Sequence, residues 1–283
     1  MSNAKCTLCL STKLNIETWD TEWGELHVHI CNDCGFQYID NANSILGREY
    51  FTSYYNQRNN KDEHLNKQRK SQYKIDAKII NQHIGEGDNI LDVGCSYGGF
   101  IEEIHSTKNN VNCFGIDVDT SAIYAAKNIY SDIANFQESD LLSINDDIKF
   151  DLIIFRGTFQ YLGEEVHESM RKIHNLLKNN GKVIIFSLPS TDSFFYSLLR
   201  EKWALFHPEM SLMFNERSLR YLMESHKFKI DELEYPYLND VYSDIESDYL
   251  NIKNIILGRS SVSVPFWGSV MSVVASKNRF EVI

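Results

Sequence analysis

From residue 89 onward, short unbroken apolar runs alternate with amphipathic stretches. The runs fall at 89–93, 113–118, 150–155 and 182–187. Such continuous runs mark strands buried on both faces. Between them, the stretches at 99–106, 121–130 and 164–177 space their apolar residues as a helix does. Strands alternating with helices predict a parallel sheet covered on both sides. A helix at 216–225, a strand near 229–234 and a last strand over 269–276 extend the pattern. Two segments break the rhythm, 189–215 and 235–266. They are expected above the carboxyl edge of the sheet.

The chain before residue 83 follows no such period. Tyr50, Phe51, Tyr54 and Tyr55 form one aromatic cluster. Residues 58–78 carry seven Lys or Arg among helix formers, which predicts an exposed linker helix. Earlier still, Cys6-x-x-Cys9 and Cys31-x-x-Cys34 are separated by 21 residues. Paired knuckles with such a gap fit a tetrahedral four-cysteine zinc site, and Gly35 suits the tight turn after the second pair. Four thiolates would close the coordination sphere, so the expected role is structural. So short a segment would need its metal to fold. Metal-free thiols are the plainer alternative, and a disulfide the less favoured one. The remaining cysteines, Cys95 and Cys113, lie within the strand–helix pattern and are expected in the core.

Length and composition narrow the picture. The 283 residues suit one large α/β domain with a small appendage, and 43% hydrophobic content can supply its core. The formal net charge of -11 disfavours nucleic acid as a partner. Residues 1–10 lack the apolar region of a signal peptide, and the longest apolar stretch, 264–275, is too short to span a bilayer. A cytoplasmic protein without a membrane span is therefore expected, with reduced cysteines.

The strongest chemical signal is Ile90-Leu-Asp92-Val-Gly94-Cys95-Ser96-Tyr97-Gly98-Gly99-Phe100. A strand ends, a glycine turn follows, and a helix begins, at the sheet edge where such folds bind ligands. A dinucleotide fingerprint requires G-x-G-x-x-G. Gly94, Gly98 and Gly99 do not fit that spacing, and Asp92 places an acid beside the turn. A cationic ligand suits that acid better than a pyrophosphate does. The next strand ends in Gly115-Ile-Asp117-Val118-Asp119, and a third acid follows in Phe136-Gln-Glu-Ser139-Asp140-Leu141. Each acid alone also fits a helix cap or a solvated loop.

The D-x-G-x-x-x-G arrangement resembles the first motif of class I S-adenosylmethionine (SAM)-dependent methyltransferases. The resemblance extends through the fourth-motif-like Phe150-Asp-Leu-Ile-Ile-Phe-Arg156-Gly-Thr-Phe-Gln-Tyr161 and the Gly181 turn, over residues 70–280. It implies a Rossmann-like seven-stranded α/β sheet. It also implies a SAM site built from Asp92, Gly94, Cys95, Ser96, Gly98, Asp117, Val118, Asp140, Leu141 and Arg156. Asp117 would take the ribose hydroxyls and the region of Asp140 the adenine.

The whole layout resembles zinc-ribbon methyltransferases of bacterial surface-polysaccharide and sugar biosynthesis. That resemblance rests on the paired cysteines, Tyr54-Tyr55, the Arg156–Tyr161 region, His207-Pro208-Glu209 and Pro265-Phe-Trp-Gly268. Many relatives carry His where Tyr161 stands, and a second His at Met210, where sugar C-methylating relatives use it in catalysis. This chain has neither. His207 is then the best general base by type, with Glu209 and Tyr161 as alternatives. The layout implies a zinc ribbon over 1–45, a helical linker and cofactor lid over 46–82, and a SAM-binding domain over 83–283. The segments 189–215 and 235–266 would cap a small-molecule or glycan acceptor. An RNA methyltransferase and a non-catalytic SAM-binding protein are the competing readings.

Overall fold

A computed structural model describes residues 4–41, 67–108, 110–203, 205–237, 245–259 and 268–278. The aromatic cluster at 50–55 and the segment 265–267 lie outside the described residues.

The main body is a seven-stranded sheet in the order β6-β5-β4-β7-β8-β10-β9. Its strands are β4 (Asn89–Val93), β5 (Asn112–Asp117), β6 (Ala134–Glu138), β7 (Phe150–Arg156), β8 (Leu177–Pro189), β9 (Phe228–Glu234) and β10 (Val270–Lys277). β4 through β8 pair in parallel, and β10 runs antiparallel to both β8 and β9. This is the expected α/β sheet, with the expected seven strands.

Side chains alternate across the strands, so each run feeds two cores. On one face, Ile90, Ile154, Ile184 and Phe186 pack against helices α1 (Lys67–Ile80), α2 (Gly99–Thr107) and α3 (Thr120–Tyr130). On the other, Leu91, Ile153, Phe155 and Ile185 meet α4 (Val166–Leu176) and α6 (Glu216–Ser225). The α4 stripe of Val166, Met170 and Ile173 is fully apolar at helical spacing. α6 starts at a capping box, in which Asn215 and Ser218 satisfy each other's backbone N–H groups.

Four elements depart from the sequence reading. α1 is not a solvated helix: Tyr73, Ala77 and Ile80 are buried, and so are the polar Gln72 and Asp76. β8 begins directly after α4, and the expected Gly181 turn is instead a bulge inside the strand, where the β7 register jumps between Leu177 and Lys182. The two interrupting segments carry helices of their own, α5 (Phe194–Leu199) and α7 (Ile245–Ile256).

At the N-terminus, β1 (Leu14–Thr21), β2 (Gly24–Cys31) and β3 (Gln37–Ile39) form an antiparallel sheet. It is not a tethered appendage. Gln37 exchanges backbone hydrogen bonds with Met213 at 3.0 and 2.9 Å. The Phe36 ring lies 5.1 Å from that of Phe214. Trp19, Leu26 and Val28 share one core with Tyr196, Trp203, Phe206 and Met210. The small sheet thus buttresses the 189–215 segment from behind.

Candidate cofactor and transfer site

The glycine turn joins β4 to α2. Gly94 has φ +78°, a conformation that disfavours other residues. A Cβ on it would stand 2.3 Å from the Thr158 methyl. That contact brings the β7 turn hard against the glycine turn. Thr158 also donates to the Val93 carbonyl at 2.8 Å. Gly98, at φ +81°, is pressed against Phe136 and Tyr130. The N–H groups of Gly94 and Cys95 both donate to the Ile116 carbonyl. Ser96 (φ 49°) aims its N–H at Asp117 Oδ2 at 2.8 Å. The turn is thereby fixed to the end of β5.

Asp117 also accepts from the Asp119 N–H at 3.0 Å through Oδ1, while burial raises its carboxyl above the usual range. Asp119 serves as the N-cap of α3. Asp140 is exposed and accepts from the Ser143 N–H and hydroxyl. Val118 is 58% exposed at the strand end, whereas Leu141 belongs to the core. The Cys95 thiol is buried against β5: a Cβ on Gly115 would approach its Sγ to 2.8 Å. Burial first, and then Asp92 and Asp117, push this thiol far above its ordinary value, so it is inert.

Asp92 is the exceptional group. It is 2% exposed, and no described group donates to its Oδ1. Burial pushes its carboxyl up to about 7, against the pull of Arg156. A buried carboxyl with one unpartnered oxygen beside a tight glycine turn suits a cationic ligand. This fits the ammonium of a SAM amino-acid tail, whose backbone-close approach the glycines allow.

Arg156 ends β7. Its Nε donates to Asp76 at 2.8 Å and its Nη2 to Gln72 at 3.0 Å, while its guanidinium lies 4.4 Å from the Tyr73 ring centroid. Asp76 accepts in turn from the Tyr237 hydroxyl at 2.7 and 2.9 Å. Asp76, Gln72 and Tyr237 were not legible in the sequence as site residues. The faint signal was a polar pair, Gln72 and Asp76, one helical turn apart beside an apolar stripe.

After Arg156 the chain turns through Gly157 into a short helical turn (Phe159–Tyr161). Tyr161 is 37% exposed there. The carbonyl of Gln160 accepts from the Leu212 N–H at 3.3 Å and the Ser211 hydroxyl at 3.5 Å. The chain just after His207 and Glu209 is therefore tied, through Ser211 and Leu212, to the same turn that touches Gly94. Met210 closes a tight turn onto the His207 carbonyl at 2.9 Å.

Away from this edge, the sulfurs of Cys6, Cys9, Cys31 and Cys34 lie within 4.8 Å of one another, with Cys6–Cys34 at 3.7 Å and Cys9–Cys31 at 3.5 Å. A tetrahedron with metal–sulfur bonds of about 2.3 Å has edges of about 3.8 Å, so the donor set fits zinc.

Comparisons with known proteins agree with this geometry. The sequence model of a family described as a methyltransferase domain matches residues 65–233. Malonyl-[acyl-carrier protein] O-methyltransferase 1 of Ilyobacter polytropus is 31% identical over 124 residues, covering 43% of this chain and 45% of that protein. The match thus spans under half of that relative. Among solved structures, the Burkholderia thailandensis 1,6-didemethyltoxoflavin N1-methyltransferase, bound to S-adenosylhomocysteine (SAH), superposes with a TM-score of 0.57 at 13% identity, covering 93% of this chain and 99% of that one. The plantazolicin methyltransferase BpumL with SAH gives 0.53 at 19% identity, covering 84% and 94%. These two likenesses are of fold. With more than half of its length matched by the family model, the chain belongs to the methyltransferase-domain family and is a SAM-dependent methyltransferase of the class I, Rossmann-like fold.

Proposed function

We propose that this protein methylates a hydroxyl of a small-molecule or glycan acceptor, a sugar of polysaccharide or sugar biosynthesis being the specific candidate. One observation carries the reading: just after His207 and Glu209 the chain is hydrogen-bonded, through Ser211 and Leu212, to the Gln160 carbonyl of the turn whose Thr158 touches Gly94. In this reading a cofactor site and an acceptor cap share one sheet edge. The structural neighbours are named for natural-product substrates, which supports a small acceptor. The acidic chain weighs against RNA.

When bound, SAM supplies a sulfonium-activated methyl group. In this reading Asp92 takes its ammonium, and Gly94, Cys95, Ser96 and Gly98 shape the backbone around its tail. Asp117 takes the ribose hydroxyls. Val118, Asp140 and Leu141 frame the adenine, and Arg156 completes the inner wall. His207 removes the acceptor proton, with Glu209 and Tyr161 as the nearest alternatives. The cap aligns the acceptor for in-line attack and excludes water. Cys6, Cys9, Cys31 and Cys34 hold a structural zinc. The units are 1–45, 46–82 and 83–283, with the two insertions over the site.

The test is methyl transfer from SAM to a panel of free and nucleotide-linked sugars. His207→Ala is expected to lower kcat roughly 100-fold and to leave SAH affinity unchanged. An unchanged kcat removes His207 as base. Turnover on RNA and on none of the sugars overturns the acceptor assignment.

A further inference from the structure

Two buried carboxylates stand near one largely buried cation beside the glycine turn, and only one of them pairs with it. Asp76 is fully buried and Asp92 nearly so. Asp92 of β4 pairs with Ile154 of β7, so Arg156, two residues on, projects from the same face one diagonal step away. Arg156 donates hydrogen bonds to Asp76 and Gln72 of α1 and stacks on Tyr73. Asp76 is gripped by Tyr237, whose hydroxyl also lies 3.1 Å from Ser187 Oγ at the end of β8. The guanidinium is thereby locked in place by α1 and by the root of the 235–266 segment. It does not neutralise Asp92 by contact, since Asp92 Oδ1 has no donor among the described residues. It acts on Asp92 only through its field.

We infer that Arg156 is a positioning residue, held by Asp76, Gln72 and Tyr237, that keeps Asp92 ionised and open to the ammonium of the cofactor's amino-acid tail. This rests on the cofactor reading above. The role is distinct from direct contact with SAM. With two buried acids and one guanidinium, a second cation is missing, and the ligand provides it. The titratable and charged groups that act on Asp92 are Arg156, Asp117, Cys95 and Cys113, while Asp76 and Tyr237 act on Arg156. Of these only Arg156 is cationic, and its pull opposes the burial that pushes Asp92 up to about 7.

The experiment compares SAH with 5′-methylthioadenosine, which keeps the nucleoside and thioether but lacks the amino-acid tail. Full-length wild type, Arg156→Gln, Arg156→Lys and the Asp76→Asn/Arg156→Gln double variant are titrated with both from pH 6 to 9. Wild-type affinity for SAH is expected to fall as the pH drops below about 7, where Asp92 takes a proton. Arg156→Gln is expected to weaken SAH roughly tenfold or more at pH 7.5 and to move that fall to higher pH. Its affinity for 5′-methylthioadenosine stays within about twofold, and Arg156→Lys recovers part of the loss. The double variant, which removes the ion pair together, gives the same contrast if the single one does not fold. Equal loss of both ligands, or an unmoved pH profile, overturns the inference while the cofactor reading stands. Wild type that binds neither ligand overturns both.

Discussion

At the scale of the residue, Asp92 sets stability against ligand affinity. A buried acid with an orphaned oxygen costs stability and offers affinity. Its folded-state value of about 7 lies above its unfolded value, so the folded chain holds more protons between about pH 4 and 7. Stability is therefore lost as pH rises through that window and stays low above it. Asp92→Asn is expected to raise the unfolding free energy of the cofactor-free protein at pH 8 by up to roughly 4 kcal/mol, and to weaken SAH binding at the same time. Denaturant unfolding at pH 4 and pH 8 checks this; a variant no more stable than wild type at pH 8 contradicts it. Asp92 and Asp117 were legible as acids near strand ends because each lies in an apolar run, whereas Asp140 follows a strand, β6, that has no such run. Their employment was not. Asp140 closes a local turn with Ser143, and Arg156 answers to Asp76, 80 residues away. Long-range partners leave no periodic trace.

At the scale of the element, apolar runs and helical spacing foretold the sheet and most of its helices. They failed where polar residues are buried. α1 looked solvated because its lysines dominate the pattern, yet Gln72 and Asp76 face inward to a cation no local reading could supply. The junction of α4 with α6 is another such place. His167 Nδ1 lies 2.8 Å from His226 Nε2, and His167 Nε2 lies 3.1 Å from the Thr7 carbonyl. Burial first, then the charges of His167 and Arg171, lower His226 to about 4. A histidine lowered in the fold stays neutral there, so its contribution is present above the unfolded value near 6.5 and is lost as pH falls toward 4. His226→Asn is expected to flatten the decline of the thermal midpoint between pH 6.5 and 4. An equally steep decline in the variant assigns the acid sensitivity elsewhere.

At the scale of the whole molecule, the paired cysteines foretold the convergence of four thiols but not its integration. Knuckle spacing fixes which thiols converge; it says nothing of what the outer faces of the small sheet touch. Those faces carry Trp19, Leu26, Val28 and Phe36 into cores shared with the 189–215 segment and the main sheet. Removing the proposed zinc therefore disturbs more than the first 41 residues. A strong chelator is expected to lower the thermal midpoint of the full chain by roughly 10 °C or more and to suppress methyl transfer, with one zinc per chain released. A separate low-temperature transition that leaves the main unfolding step in place would show the two units to be independent. The same shared core has a bearing on the order in which the chain is made. Residues 19–39 leave the ribosome early, but Tyr196, Trp203 and Phe214 follow more than 150 positions later. During synthesis the N-terminal sheet must wait, half uncovered, for the partners that complete it.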